Sequence, residues 1–236
     1  MIHAYSRCSC AIADTYVILT FMKENETLKR RVLDLANRCY QQNIYTFSGF
    51  LNAAEVSDVY SMERELDFIP WKLFGGTEGC ERQMLRFGSE ETLGYEEEFP
   101  ISCVAIRPSA PKFAEDLSHR DFLGALMNLG IERDVLGDII VRDSVGYVFC
   151  EDAMAVYLAD NITQVRHTVM TTEVTKECPG QAAPQFLEEE FVVSSNRCDA
   201  IIAKAYKLSR TRSTELFHAG KIFVNGRQYD RNSGIL

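Results

Sequence analysis

Between residues 101 and 174 strand-like and helix-like segments alternate in an order that few folds satisfy. ISCVAIRPS (101–109) reads as a strand, and SHRDFLGALMNLG (118–130) as a helix with a Ser118 cap and a terminal Gly130. DIIVRDS (138–144) and GYVFCE (146–151) read as two strands joined by a tight turn. EDAMAVYLADNI (151–162) reads as a helix and QVRHTVMTTEV (164–174) as a final strand. The order βαββαβ predicts a ferredoxin-like split βαβ plait over 99–174, within a chain of α+β class.

Residues 22–98 read as a mixed α/β region. MKENETLKRRVLDLANRCYQQ (22–42) places Leu28, Val32, Leu35 and Cys39 on one helical face. A second helix is predicted from Asn52, its cap, to Leu66. WKLFGG and RQMLRFG read as short strands around the turn-rich GGTEGC, and the acidic GYEEEFP closes the region. The opening 21 residues carry one early Arg, Asp14 and only a short apolar stretch, unlike a signal or transit peptide. They read as a disordered tail or a mis-called start, with the amphipathic pattern beginning after Met22. TKECPGQAAPQFLEEE, with two prolines and an acidic run, reads as a linker over 175–189.

Charge is distributed unevenly. The net charge of -9 excludes a chain that is basic all over. From Ser195 onward, however, eight Lys and Arg face three Asp and Glu, giving +5 and leaving -14 on the other 194 residues. A basic end on an acidic body points to an anion-binding module. The eight cysteines are scattered and contain no CxxC pair, which fits a reduced, cytoplasmic compartment and predicts no metal site. No apolar run approaches the ~20 residues a membrane-crossing helix requires.

Within that basic end, Ser195 or Asn196 is the expected cap of a helix with Ile201, Ile202, Ala205 and Tyr206 as its apolar positions. Ser209 is the expected cap of a second helix, with Leu216 and Phe217 inward and Gly220 just past its end. Lys221–Val224 reads as a strand, and Asn225-Gly226 is the preferred pair for a two-residue type I′ hairpin turn returning through Arg227. SRTR (209–212) sets two guanidiniums where helix N–H groups already favour an anion. A solvated first turn is the plain alternative. The dipole disfavours a cation there, so two arginines at that end point to an anionic partner. The candidate RNA-contacting set is Arg197, Lys207, Ser209, Arg210, Thr211, Arg212, Lys221, Asn225 and Arg227.

Arg197, Asp199, Leu208, Ser209, Arg210, Leu216, Gly220, Val224, Asn225 and Gly226 together resemble the RNA-binding module named after ribosomal protein S-four. Cys198 stands where that family usually has Leu, and Leu236 comes before the module's last expected strands, so the expectation for 190–236 is a module that is either truncated or ends atypically. FGGTEGCERQML (74–85) and HRDFLGALMNLGIERDVLGDI (119–139), followed by this module, are similar to the YlmH family from about Met22 to Leu236. That resemblance implies a protein encoded near cell-division genes and associated with ribosomes. It further implies binding to large subunits obstructed by peptidyl-tRNA, with rRNA and tRNA as the RNA partners.

Enzymatic readings fare worse. HRDFLGALMN imitates a kinase catalytic loop, but Leu126 sits where the magnesium-binding Asn belongs and no DFG follows. FGGTEG lacks the Lys-Ser/Thr of a phosphate loop, which leaves a tight turn as the plainer reading. Tyr147 and Phe149 share a strand face, as stacking aromatics would, yet the first strand offers none, so a core or interdomain role is expected. The expectation is a non-enzymatic, cofactor-free RNA binder. The competing readings are an RNA-modifying enzyme of pseudouridine-synthase type, or a protein-interaction scaffold linked to division proteins.

Overall fold

The computed structural model describes residues 12–176, 190 and 192–234, with side chains from residue 26 onward. In chain order the elements are α1 (Ile12–Gln42), β1 (Thr46–Leu51), α2 (Ala53–Ser61), β2 (Trp71–Phe74), β3 (Gln83–Phe87), α3 (Glu90–Leu93), β4 (Ile101–Pro108), α4 (His119–Asn128), β5 (Leu136–Arg142) and β6 (Val145–Glu151). They continue with α5 (Asp152–Asn161), β7 (Gln164–Val165), β8 (Thr168–Thr175), α6 (Cys198–Ala205), α7 (Arg210–His218), β9 (Phe223–Val224) and β10 (Arg227–Gln228). The chain is α+β, and every paired strand is antiparallel. Of the tail expected over 1–21, residues 1–11 lie outside the described residues, whereas residues 12–21 belong to α1. The expected linker lies outside them from residue 177 to 189.

Residues 24–185 form one compact unit. Its larger sheet has the order β5-β6-β4-β8-β7 and its smaller one β1-β3-β2. The helical stripe of α1 buries Leu28, Val32, Ala36 and Cys39 against Val59, Leu66, Leu85 and Phe87, closing one face of the small sheet. On the large sheet Val104, Ile106, Val148 and Cys150 face Phe122 and Leu126 of α4 and Ala155 and Leu158 of α5. The opposite faces of the two sheets meet each other: Phe50, Cys80 and Met84 pack on Ile101, Cys103, Ile140 and Phe149. Regions 22–98 and 99–174, separate in the sequence reading, are joined through this shared apolar seam.

The local elements have identifiable causes. Asn52 caps α2, its Oδ1 accepting from the N–H groups of Ala54 and Glu55, while Glu55 Oε2 accepts from Asn52 N–H at 2.8 Å. The helix then ends at Ser61 and passes into a 3-10 turn, Glu63–Glu65, short of the predicted Leu66. Asp143 and Ser144 both hold positive φ, the signature of a I′ turn between β5 and β6. The single strand expected over 164–174 is instead a hairpin, β7 and β8, turning at Arg166 with φ of 53°. Arg-His lacks the Gly, Asn or Pro that normally announces such a turn, so the pattern read as continuous.

Phe186–Leu236 and Met1–Lys23 are assigned to a second unit. In its described C-terminal part, Cys198, Phe217 and Ile222 are buried, with Ile202, Leu216 and Tyr229 packed around them. Ser209 caps α7, its Oγ accepting from Arg212 N–H, and Gly220 takes φ of 62° after the helix. Asn225 (50°) and Gly226 (73°) form the I′ turn joining β9 to β10. Two expectations fail at α6. Its cap is Arg197, and its buried side chains are Cys198, Asp199, Ala200 and Ala203; of the expected apolar positions Ile202 packs on the cluster, Ile201 and Ala205 are half-buried and Tyr206 is exposed. The first α6 N–H groups, of Cys198 and Asp199, donate to Gly234 and Asn232 carbonyls, so the returning chain does what a side-chain cap would have done.

Candidate nucleic-acid interface

The basic cluster is organised around one carboxylate. Asp199 has a side chain only 5% exposed. It accepts from Arg197 Nε and Nη2, both at 3.1 Å, and from Arg210 Nη1 at 3.3 Å. Ser213, itself buried, donates its hydroxyl to the Asp199 carbonyl and ties α7 to α6. These guanidiniums, Arg197 foremost, hold the Asp199 carboxyl below the ordinary carboxylate value. The arginines thus already have anionic partners within the protein, which weakens the inference that two cations at that helix start need an external one. What the fork provides is orientation. Arg197 and Arg210 remain 44% and 53% exposed, and two cations on one anion leave a fixed positive surplus at the α6–α7 junction.

Arg212 pairs with Glu215 at 2.7 Å on the exposed flank of α7. By helix geometry the N–H groups of Arg210 and Thr211 lack an intrahelical acceptor. Lys207, Ser209, Thr211 and Asn225 are exposed, and Lys221 and Arg227 are half-buried. Lys207 occupies the left-handed region (φ 53°) in the turn between α6 and α7, close in sequence to the Ser209 cap. The fork itself was not foreseen. Its one available signal was an acidic residue, Asp199, placed inside an otherwise basic helix start.

The upstream motifs build the seam between the two sheets. Arg82 donates through Nε to the Leu136 carbonyl and through Nη2 to the carbonyls of Phe50 and Arg133, at 2.7–2.9 Å. The Asp138 carboxylate receives the backbone N–H groups of Glu81 and Arg82. Gly76 (φ 100°) lies against the Phe149 ring, where a Cβ would collide. Phe149 is fully buried and Tyr147 is partly buried beside it, so these aromatics belong to the core. Asp121 of the kinase-like segment accepts from the Ser118 hydroxyl and N–H, which pull its pKa down, and so serves the start of α4. Among the described residues no group of three or more His, Cys, Asp or Glu is placed to hold a metal, and no helix is long and apolar enough to cross a membrane.

Residues 95–177 match a family model described as "Putative RNA-binding domain in YlmH". The chain is 24% identical to "Ribosome-associated protein quality control protein P2" of Bacillus subtilis (strain 168) over 217 residues, 92% of this chain and 83% of the relative. Among solved structures, "Cell division protein ylmH from Streptococcus pneumoniae" aligns with 73% of this chain and 96% of its own, with a TM-score of 0.51 and 18% identity, a likeness of fold. Fold and matched domain together define an α+β protein built around a YlmH-type central domain. Residues 95–177 are thus similar to the RNA-binding domain described for YlmH, and the chain as a whole is similar in sequence to the quality-control protein P2.

Proposed function

We propose that this protein binds structured RNA on the ribosome, without catalysing a reaction, and that an S-four-like module over 190–236 supplies the principal contact. The observation that carries this reading is the Asp199 fork, which holds Arg197 and Arg210 half-exposed at one junction beside the capped start of α7. Pre-oriented guanidiniums lose less entropy on meeting phosphate than free ones do. The comparisons support the ribosomal setting: a relative named for ribosome-associated quality control aligns with most of the chain, and the central antiparallel sheet with α4 and α5 lies in the stretch that matches a domain named for RNA binding. On this reading the partners are rRNA and tRNA of an obstructed large subunit in the cytoplasm. Selection comes from RNA shape, since side chains do not read the deep groove of an A-form helix.

The test is fluorescence anisotropy of the full chain with a labelled RNA stem-loop across a salt series. Arg210→Ala and Arg212→Ala should each weaken binding at every sequence tried. A charged hydrogen bond contributes about 1.5–3 kcal/mol, so the double change should cost roughly a hundredfold or more. The salt slope should become shallower by about one per phosphate contact removed. Unchanged affinity and slope, in protein whose helices persist by circular dichroism, would show that α7 does not meet RNA.

A further inference from the structure

Residues 95–177 present a problem that their match raises. They hold seven Lys and Arg against fifteen Asp and Glu, so any RNA contact there has to be local. The sheet face that plaits often offer to RNA is unavailable, because Phe149, Cys103 and Ile101 are buried under the small sheet. Of the basic side chains, Arg107 is paired with Glu173, Lys176 with Asp152, and Arg133 is half-buried in the seam.

A polar groove of about 580 Å³ lies along the outer side of α4. Arg120, Gly124 and Asn128, four residues apart, form one row on that helix, opposite the buried Phe122 and Leu126. Arg166, at the positive-φ corner of the β7–β8 hairpin, lines the same groove with Asn161 and Gln164. The Arg120 side chain has no hydrogen bond or ion pair among the described residues, and Arg166 is half-exposed, its ion pairs with Glu115 and Asp121 longer, at 3.4 and 3.7 Å, than the 2.6 Å of Arg107 with Glu173. Gly124 is the informative residue. A glycine inside a helix costs about 0.5–1 kcal/mol relative to alanine, yet a Cβ there would meet nothing within 4 Å. Packing within the fold therefore does not account for it. A bare helix backbone flanked by two guanidiniums and side-chain amides suits close approach of a sugar–phosphate strand.

We infer that the α4 groove is a second RNA contact, taking one phosphate backbone between Arg120 and Arg166 with its closest approach over Gly124. This rests on the RNA-binding reading above but places a contact far in sequence from α7. The test measures binding of the full chain to the same labelled stem-loop, with melting temperature recorded in parallel. Gly124→Gln replaces glycine with a better helix former in open space, so it should raise the melting temperature by about 2 °C. It should nevertheless weaken RNA binding roughly tenfold. Arg120→Gln should weaken binding by about the same factor and reduce the salt slope by about one. Wild-type affinity in both variants overturns the groove, and if Arg210→Ala/Arg212→Ala still loses affinity, the reading of α7 stands without it. Loss in the α4 variants alone keeps the groove and removes α7; loss in both sets supports both sites, and loss in neither refutes both. Unchanged RNA affinity together with lost binding to ribosomal proteins stripped of RNA would assign the groove to a protein partner and overturn the proposal.

Discussion

The two ends of this chain solve the same problem, burying enough surface to hold a shape, by different means. Residues 24–185 have three apolar clusters that close both faces of both sheets. Among the described residues from 190 to 234 the buried apolar cluster is Cys198, Phe217 and Ile222, supplemented by a carboxylate fork and a returning backbone that caps α6. A unit with so little core leans on polar contacts that must be fully satisfied, and the same contacts fix the charged groups it displays. The larger unit can leave its polar groove to binding because apolar packing already holds the fold.

If this contrast is right, core truncation should have its largest effect at the seam. Phe149→Ala should lower the main unfolding free energy by about 3–5 kcal/mol in urea titration, because the void lies where two sheets and Gly76 converge. A loss below about 1 kcal/mol would mean the sheets do not depend on each other. Arg82→Lys comes next. Lysine cannot reach the carbonyls of Phe50, Arg133 and Leu136 from one planar group, so about 2–3 kcal/mol should be lost in the same titration.

Asp199→Asn should have the smallest effect on global stability and the most local one. Its buried charge compensates two half-exposed arginines, so after allowing for solvent screening the cost should be about 1–2 kcal/mol. Hydrogen exchange should show faster exchange in α6 and α7 while the strands and helices from β1 to β8 stay protected. The pH dependence has a defined sign. Asp199 is held below its ordinary value of 3.8, so its stabilisation is complete above that value and is lost as pH falls through the lower folded one. Exchange from α6 and α7 should therefore be insensitive to this group between pH 5 and 8, in the ordinary carboxylate picture, and accelerate only below about pH 4. An accelerating step near neutrality would assign the stabilisation to another group.

Much of the framework was legible because it rests on short-range rules. Helical periodicity located α1, α4 and α5, and the Asn52 and Ser209 caps and the Asn225-Gly226 turn were recognisable from side-chain chemistry within three or four residues. Strand β1 was missed: TFSGFL carries Ser48 and Gly49, pairs irregularly, and finds its partner β3 more than thirty residues away. Ile202 of α6 was legible as a packing position, whereas Asp199, polar by type, is buried only because two arginines neutralise it.

By itself the sequence determined the α+β class, the acidic body with a basic end, and the local elements whose signals lie within one turn of the chain. Only the tertiary structure decided that the two upstream regions share a seam, that Arg82 and Asp138 clasp it, and that Arg197 and Arg210 converge on Asp199. The physical reason is range. A cap or turn is settled by neighbours a few bonds away, whereas a seam or an ion fork depends on which distant carbonyl or carboxylate the folded chain brings within 3 Å, the reach of a hydrogen bond.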